Sequence, residues 1–134
     1  MSNSSILVSG PTIAKDEDLV NKLTKIAEVL RNLQNSKIEA ILRKHEVDLI
    51  LVEILKETAS ELKLIKNIKS GFPSVAIILI DGDRELMAEA FSYGAKDAFR
   101  KPYKSSLVVE RVKAILGGLN HTHLSKKSER NSKT

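Results

Sequence analysis

Carboxylates, histidines and glycine-led turns are the groups in this chain that could do chemistry, and their spacing limits what that chemistry is. Asp16, Glu17 and Asp18 form a run of three acids. At the start of an apolar periodic segment such a run complements the positive end of a helix rather than a cation. Asp81-Gly82-Asp83 offers two more acids around a glycine, and a turn that caps the following helix accounts for them better than a cation site does. His121 and His123 stand in a Ser/Asn/Lys-rich segment with no third ligand beside them, which leaves them as solvated side chains. His45 near a helix end has no chemical role. Gly10-Pro11-Thr12 is too short for a phosphate-cradling loop, and the acids that follow it would repel a phosphate. No Ser–His–acid set and no pair of carboxylates suited to acid–base catalysis emerges. No catalytic residue, metal ligand set or cofactor is therefore assigned, and an enzyme is not expected.

Composition narrows the class further. A chain of 134 residues with 42% hydrophobic and 29% charged side chains suits one soluble domain with a tail. The absence of cysteine excludes disulfide scaffolds, zinc–thiolate and iron–sulfur sites, and thiol nucleophiles. The longest apolar run, Val75 to Ile80, is far short of the roughly 20 residues that cross a bilayer, and the start of the chain carries no secretory pattern. A cytoplasmic protein is the expectation, with no membrane partner. The net charge is +5, yet Lys126, Lys127, Arg130 and Lys133 against Glu129 supply most of that excess. All five aromatic residues lie between Phe72 and Tyr103, with no basic–aromatic alternation for base stacking. The folded part is not expected to bind nucleic acid.

The positioning elements follow from hydrophobic periodicity. Ser5 to Ser9 reads as a buried strand closed by Gly10-Pro11. Leu19, Leu23, Ile26 and Leu30 follow at helical spacing; the helix either runs to about Leu33 or stops near Ala27 before a short strand at Val29 to Leu33. Asn35 or Ser36 can cap a second helix with Ile38, Ile41 and Leu42 on its apolar face. Asp48 to Glu53 is apolar on both faces, as a central parallel strand must be. A helix over about Ser60 to Lys69 stops at Gly71. Val75 to Ile80 is the next strand, and a helix spans Arg84 to Tyr93. A short strand around Asp97 to Arg100 precedes Lys101-Pro102. The last helix, Ser105 to Leu116, buries Leu107 or Val108 and ends at Gly117-Gly118. This alternation predicts a three-layer α/β/α sandwich around a five-stranded parallel sheet, of flavodoxin-like type. The predicted division is a domain over residues 1–117 and a flexible basic tail or linker over 118–134.

Three segments resemble the receiver domain of two-component response regulators. Val47 to Ile54 is similar to its third strand, Tyr93 to Tyr103 to its fourth-helix end, fifth strand and Lys-Pro-aromatic signature, and Leu107 to Leu116 to its fifth helix. The resemblance implies receiver topology and a cis bond before Pro102. It also implies the residues of phosphoryl transfer: an acid pair after the first strand for a divalent cation, an aspartate acceptor after the third, a hydroxyl after the fourth and a lysine after the fifth. Here the acid-pair positions fall on Gly10 and Pro11, or on Ser9 and Gly10 one register earlier. The acceptor position is Glu53, the hydroxyl position is Ile80, and the aromatic switch position is Ala98. Lys101 and Pro102 are retained. The pattern is that of a degenerate, or pseudo-receiver, domain, in which Glu53 either forms a simple ion pair with Lys101 or imitates a phosphorylated aspartate.

The resemblance further implies a protein partner, or a second copy, on the face of the fourth helix, fifth strand and fifth helix. That face carries Arg84, Met87, Phe91, Arg100, Lys104 and Arg111, an apolar pair rimmed by cations. A phosphorylation-independent signalling module is the leading reading. A flavodoxin-like ligand binder and a receiver fragment of a longer DNA-binding regulator are the alternatives, although residues 117–134 leave no room for a DNA-binding module.

Overall fold

The computed structural model describes the backbone of residues 4–54, 59–81 and 84–131 and the side chains of 4–54, 62–81 and 87–118. Five strands, β1 (Ser5–Ser9), β2 (Glu28–Asn32), β3 (Leu49–Glu53), β4 (Ala76–Ile80) and β5 (Asp97–Phe99), alternate with five α-helices. These are α1 (Glu17–Thr24), α2 (Ile38–Lys44), α3 (Ala59–Gly71), α4 (Arg84–Ser92) and α5 (Ser105–Asn131). The strands form one parallel sheet in the order β2-β1-β3-β4-β5, as the alternation predicts. β1, β3 and β4 are buried along their whole length, because helices cover both faces of the central strands.

Each strand divides its side chains between two cores. Leu7, Ile50, Val52, Ile77 and Leu79 pack with Ile38 and Leu42 of α2, Ile65 and Ile68 of α3, and Ala90 of α4. Ile6, Val8, Leu49, Leu51, Ile78 and Ile80 pack with Leu19 and Leu23 of α1 and with Val108, Val112 and Leu116 of α5. This period-two sorting makes the domain three layers thick. Among the described residues no helix is long and apolar enough to cross a membrane.

Local chemistry settles what periodicity left open. Asp16 caps α1 by accepting the Leu19 N–H at 3.1 Å, so the 16–18 acids do serve the helix start, and Asp18 pairs with Lys22 one turn on. α1 stops at Thr24, and the following apolar residues form edge strand β2 rather than more helix. Neither Asn35 nor Ser36 caps α2. The two lie in a 3-10 turn before it, and the residue at the cap, Lys37, makes no side-chain capping bond. Of the pair Leu107 and Val108, Val108 is buried and Leu107 is 56% exposed.

The end of α5 is a correction. The helix passes through Gly117 and Gly118 to Asn131, beyond the stop expected at the glycine pair. A glycine ends a helix by taking a left-handed conformation, and neither of these does so; only Gly10 and Gly94 have positive φ among the described glycines. A Cβ added at either position would meet nothing within 4 Å. Replacing both with alanine is therefore expected to raise stability by about 1 kcal/mol per site and to increase the helical circular-dichroism signal. An unchanged signal would place the end of the helix at the glycine pair.

Candidate functional site

Parallel strands end on the same edge of a sheet, so the residues closing β1, β3, β4 and β5 converge. The register pairs Ser9 with Val52, Glu53 with Ile80, and Ile80 with Phe99. At this carboxyl edge Glu53, the last residue of β3, is 0% exposed. Its carboxylate turns towards the loop after β1. One oxygen, Oε1, accepts the backbone N–H groups of Thr12 at 2.9 Å and Ile13 at 3.1 Å. The other, Oε2, accepts the Thr12 hydroxyl and the Lys101 ammonium. Lys101 Nζ also donates to Thr12 Oγ1 at 2.8 Å and lies 3.9 Å from Asp81 Oδ2.

Burial on its own would raise the Glu53 pKa. The Lys101 ammonium, the Thr12 hydroxyl and the two backbone donors outweigh it and hold the carboxyl below its usual range. The pair is thus a desolvated carboxylate bound to a partly exposed lysine, not a surface ion pair.

Gly10 makes this arrangement possible. Its φ is +143°, and a Cβ there would lie 2.3 Å from Glu53 Oε1 and 2.4 Å from Glu53 Cβ. The loop therefore runs against Glu53 with no space for a side chain at position 10, least of all a carboxylate. Pro11 and Thr12 carry the chain over the acid and aim Thr12 at it. On the far side, Asn35 accepts the Ser9 hydroxyl at 2.7 Å and donates to the Glu53 carbonyl at 2.8 Å. That task explains why Asn35 does not cap α2. Tyr103 donates its hydroxyl to Asp16 Oδ2 at 2.5 Å; burial and the Asp16 carboxylate push the phenol pKa up. The Lys101–Pro102 bond is cis, and an open cleft of about 570 Å³ lies between Thr12, Asp16, Lys101, Pro102 and Tyr103.

The structure thus brings Gly10, Pro11, Glu53, Ile80, Lys101 and Pro102 to one edge. Ile80 is buried in the second core, and Ala98 is a partly buried residue packed against the first. Thr12 is the functional side chain that sequence reasoning missed. Its signal was a hydroxyl two residues beyond Gly10, legible only with the direction of Glu53 in hand.

A divalent cation does not fit this donor set. Mg²⁺ requires oxygen ligands with lone pairs to give. Both Glu53 oxygens already accept two donors each, one of them a cation, while Asp16 is engaged by the Leu19 N–H and Tyr103. Among the described residues no three metal-binding side chains gather. Asp83 and Gly82, read as part of a turn, lie outside the described residues, as do the side chains of His121 and His123.

On the expected partner face, Phe91 is 45% exposed and Arg100 and Lys104 are exposed. Met87 differs from a surface anchor, since it is partly buried against the first core. Arg111 is bound at 2.7 Å to Asp97, so its charge is answered within the chain. The Arg84 side chain lies outside the described residues. Leu107, one of the two candidates for burial by the last helix, is instead exposed on α5 and adds an apolar group.

By sequence, the chain matches no family model and no curated protein. By structure it is similar to a CheY-like response regulator receiver domain protein from Methanospirillum hungatei JF-1. The TM-score is 0.78 at 18% identity, over 90% of this chain and 99% of that one. A response regulator from Thermotoga maritima has a TM-score of 0.74 at 26% identity, over 87% and 99% of the two chains. The chain has the fold of a response-regulator receiver domain. An orphan response regulator of H. pylori resembles this receiver fold at a TM-score of 0.74 and 20% identity, over 84% and 96% of the two chains.

Glu53→Gln keeps the shape of the receiver-fold edge but removes the charge that Lys101 answers. It is expected to cost about 2–4 kcal/mol, below the full cost of an orphaned buried charge because Lys101 can turn to water. The sign with pH follows from the lowered folded pKa. The contribution of Glu53 is complete above the ordinary carboxylate range and is lost as pH falls through the folded value. Urea unfolding between about pH 7 and pH 3 should show the gap between parent and variant closing at the acid end.

Proposed function

We propose that this receiver-fold domain is a pseudo-receiver: a non-enzymatic signalling module that accepts no phosphoryl group and acts through protein contacts in the cytoplasm. The observation that carries this reading is the saturated Glu53 carboxylate. An acceptor needs an oxygen lone pair open to the incoming phosphorus and a cation opposite it to neutralise the transferring group. At Glu53 the lone pairs hold Thr12, Ile13 and Lys101, and Gly10 leaves no carboxylate to anchor a metal. Ile80 offers a phosphate no hydroxyl, and Ala98 offers no aromatic ring to report it. The lack of a hydroxyl at Ile80 and of an aromatic ring at Ala98 favours a structural ion pair over an imitation of a phosphorylated acid, because no switch residue is present to respond to one. For contact with a protein partner or a second copy, Phe91, Arg100, Lys104 and Leu107 are described groups of the α4–β5–α5 face that remain available.

Acetyl phosphate or beryllofluoride with Mg²⁺ should produce no mass increase and no amide shifts at residues 9–11, 53 and 80–81. Glu53→Asp should not restore acceptance, since no metal anchor comes with it. Saturable Mg²⁺-dependent phosphorylation of the parent chain would overturn the proposal.

The contact face has its own test. Phe91→Ala and Arg100→Glu should leave the unfolding midpoint near that of the parent while weakening self-association, or binding to a partner recovered with the domain as bait. The expected cost is about 2 kcal/mol where the residue is a hot spot. Unaltered association in sedimentation equilibrium or titration calorimetry would show that the face is elsewhere.

A further inference from the structure

Where α3 meets the turn after α4, positive charge gathers that no carboxylate among the described residues answers with an ion pair. Lys63, Lys66 and Lys69 recur at steps of three along α3, and Lys96 follows in the α4–β5 turn. The Lys69 stem lies across Gly94, where an added Cβ would stand 3.0 Å from Lys69 Cε. Its ammonium donates to the carbonyl oxygens of Pro73 and Val75, each at 3.0 Å. Burial, and then the neighbouring Lys96 charge, hold the Lys69 pKa below its usual value. Lys66 Nζ sits 5.4 Å from the centroid of the Tyr93 ring. Among the described residues no ion pair joins any of these four lysines to an acid, and Glu89 of α4 is exposed. Beside the lysine row is a cavity of about 470 Å³ lined by Leu62, Lys63, Lys66, Asn67, Ser70 and Tyr93. Leu62 and Tyr93 are partly buried against the first core, so the cavity has an apolar floor and a cationic rim.

We propose that this groove between α3 and Tyr93 is a docking site for an acidic peptide segment of a protein partner, with carboxylates on the lysine row and one apolar side chain between Leu62 and Tyr93. The dimensions favour a peptide. From Lys63 to Lys69 the helix rises about 9 Å, the reach of roughly three residues of extended chain at about 3.3 Å each. A nucleic acid draws its affinity from neutralising many phosphates, about 6–10 in a typical contact, and three lysines on so short a row with Lys96 beside it do not supply that. A recessed apolar floor also gives a flat lipid surface nothing to fill. The site goes beyond the pseudo-receiver reading, since it lies on α3 and needs neither Glu53 nor Phe91.

The test uses a blocked pentapeptide of four glutamates around a central leucine, titrated into the isotope-labelled full chain. Saturable amide shifts should appear at residues 62–70 and 93–96, and the affinity should fall steeply as salt rises past about 0.1 M. Lys63→Glu with Lys66→Glu should weaken binding by about tenfold or more with the remaining amide spectrum unchanged. A serine in place of the peptide's leucine should weaken it several-fold. The proposal is overturned if these residues do not shift, or if charge reversal leaves the affinity unaltered. It is equally overturned if a single-stranded oligonucleotide or phosphatidylserine vesicles shift the same residues at lower concentration than the peptide.

Discussion

A carboxylate removed from water loses hydration worth several kcal/mol unless other donors replace it, and the carboxyl edge of this domain is arranged around that demand at Glu53. Two backbone N–H groups, one hydroxyl and one ammonium replace the lost water. These donors come from the loop after β1 and the segment after β5, so one side chain ties together parts of the chain 89 residues apart, as the Lys101–Thr12 bond shows. Gly10 is a consequence of the same demand. The loop can press against Glu53 only where no Cβ stands between them.

The rest of the architecture exists to hold those parts in register. Three fully buried central strands, sorted by period two into two cores, fix the heights of Ser9, Glu53 and Ile80 relative to one another. Side-chain bonds then set the angles. Asn35 joins the ends of β1 and β3, and Tyr103 joins the start of α5 to the cap of α1. An edge so fully bonded internally has little capacity left for exchangeable ligands, which is the physical basis for proposing contacts on the helical surfaces instead.

Those surfaces differ in kind. On the α4–β5–α5 side, Arg111 is answered by Asp97, and the exposed apolar groups Phe91 and Leu107 are the distinctive features. Along α3 the distinctive feature is a row of lysines with no ion pair among the described residues, grouped about an aromatic ring and a cavity. Repulsion among like charges is a standing cost to the folded domain, and a complementary partner would relieve it.

Strand and helix order were legible in the sequence because apolar periodicity is a local property. So was the vacancy of the expected acid-pair positions, since Gly10 and Pro11 carry no carboxylate whatever the fold does. Lys101-Pro102 and Glu53 could be named as partners from the resemblance alone. Tertiary structure decided what those residues do. Whether Glu53 lies on the surface or is desolvated depends on the path of the loop after β1, and that path brings in Thr12, whose residue type by itself carries no such message. Asn35 looked like a helix cap because short polar side chains cap helices, yet two strand ends within reach offered it stronger partners. Leu107 and Val108 are adjacent and equally apolar, and only the docking angle of α5 on the sheet buries one and exposes the other. Gly117-Gly118 carries the composition of a helix stop, but glycine only permits a left-handed stop and does not impose one, and here both residues keep helical backbone.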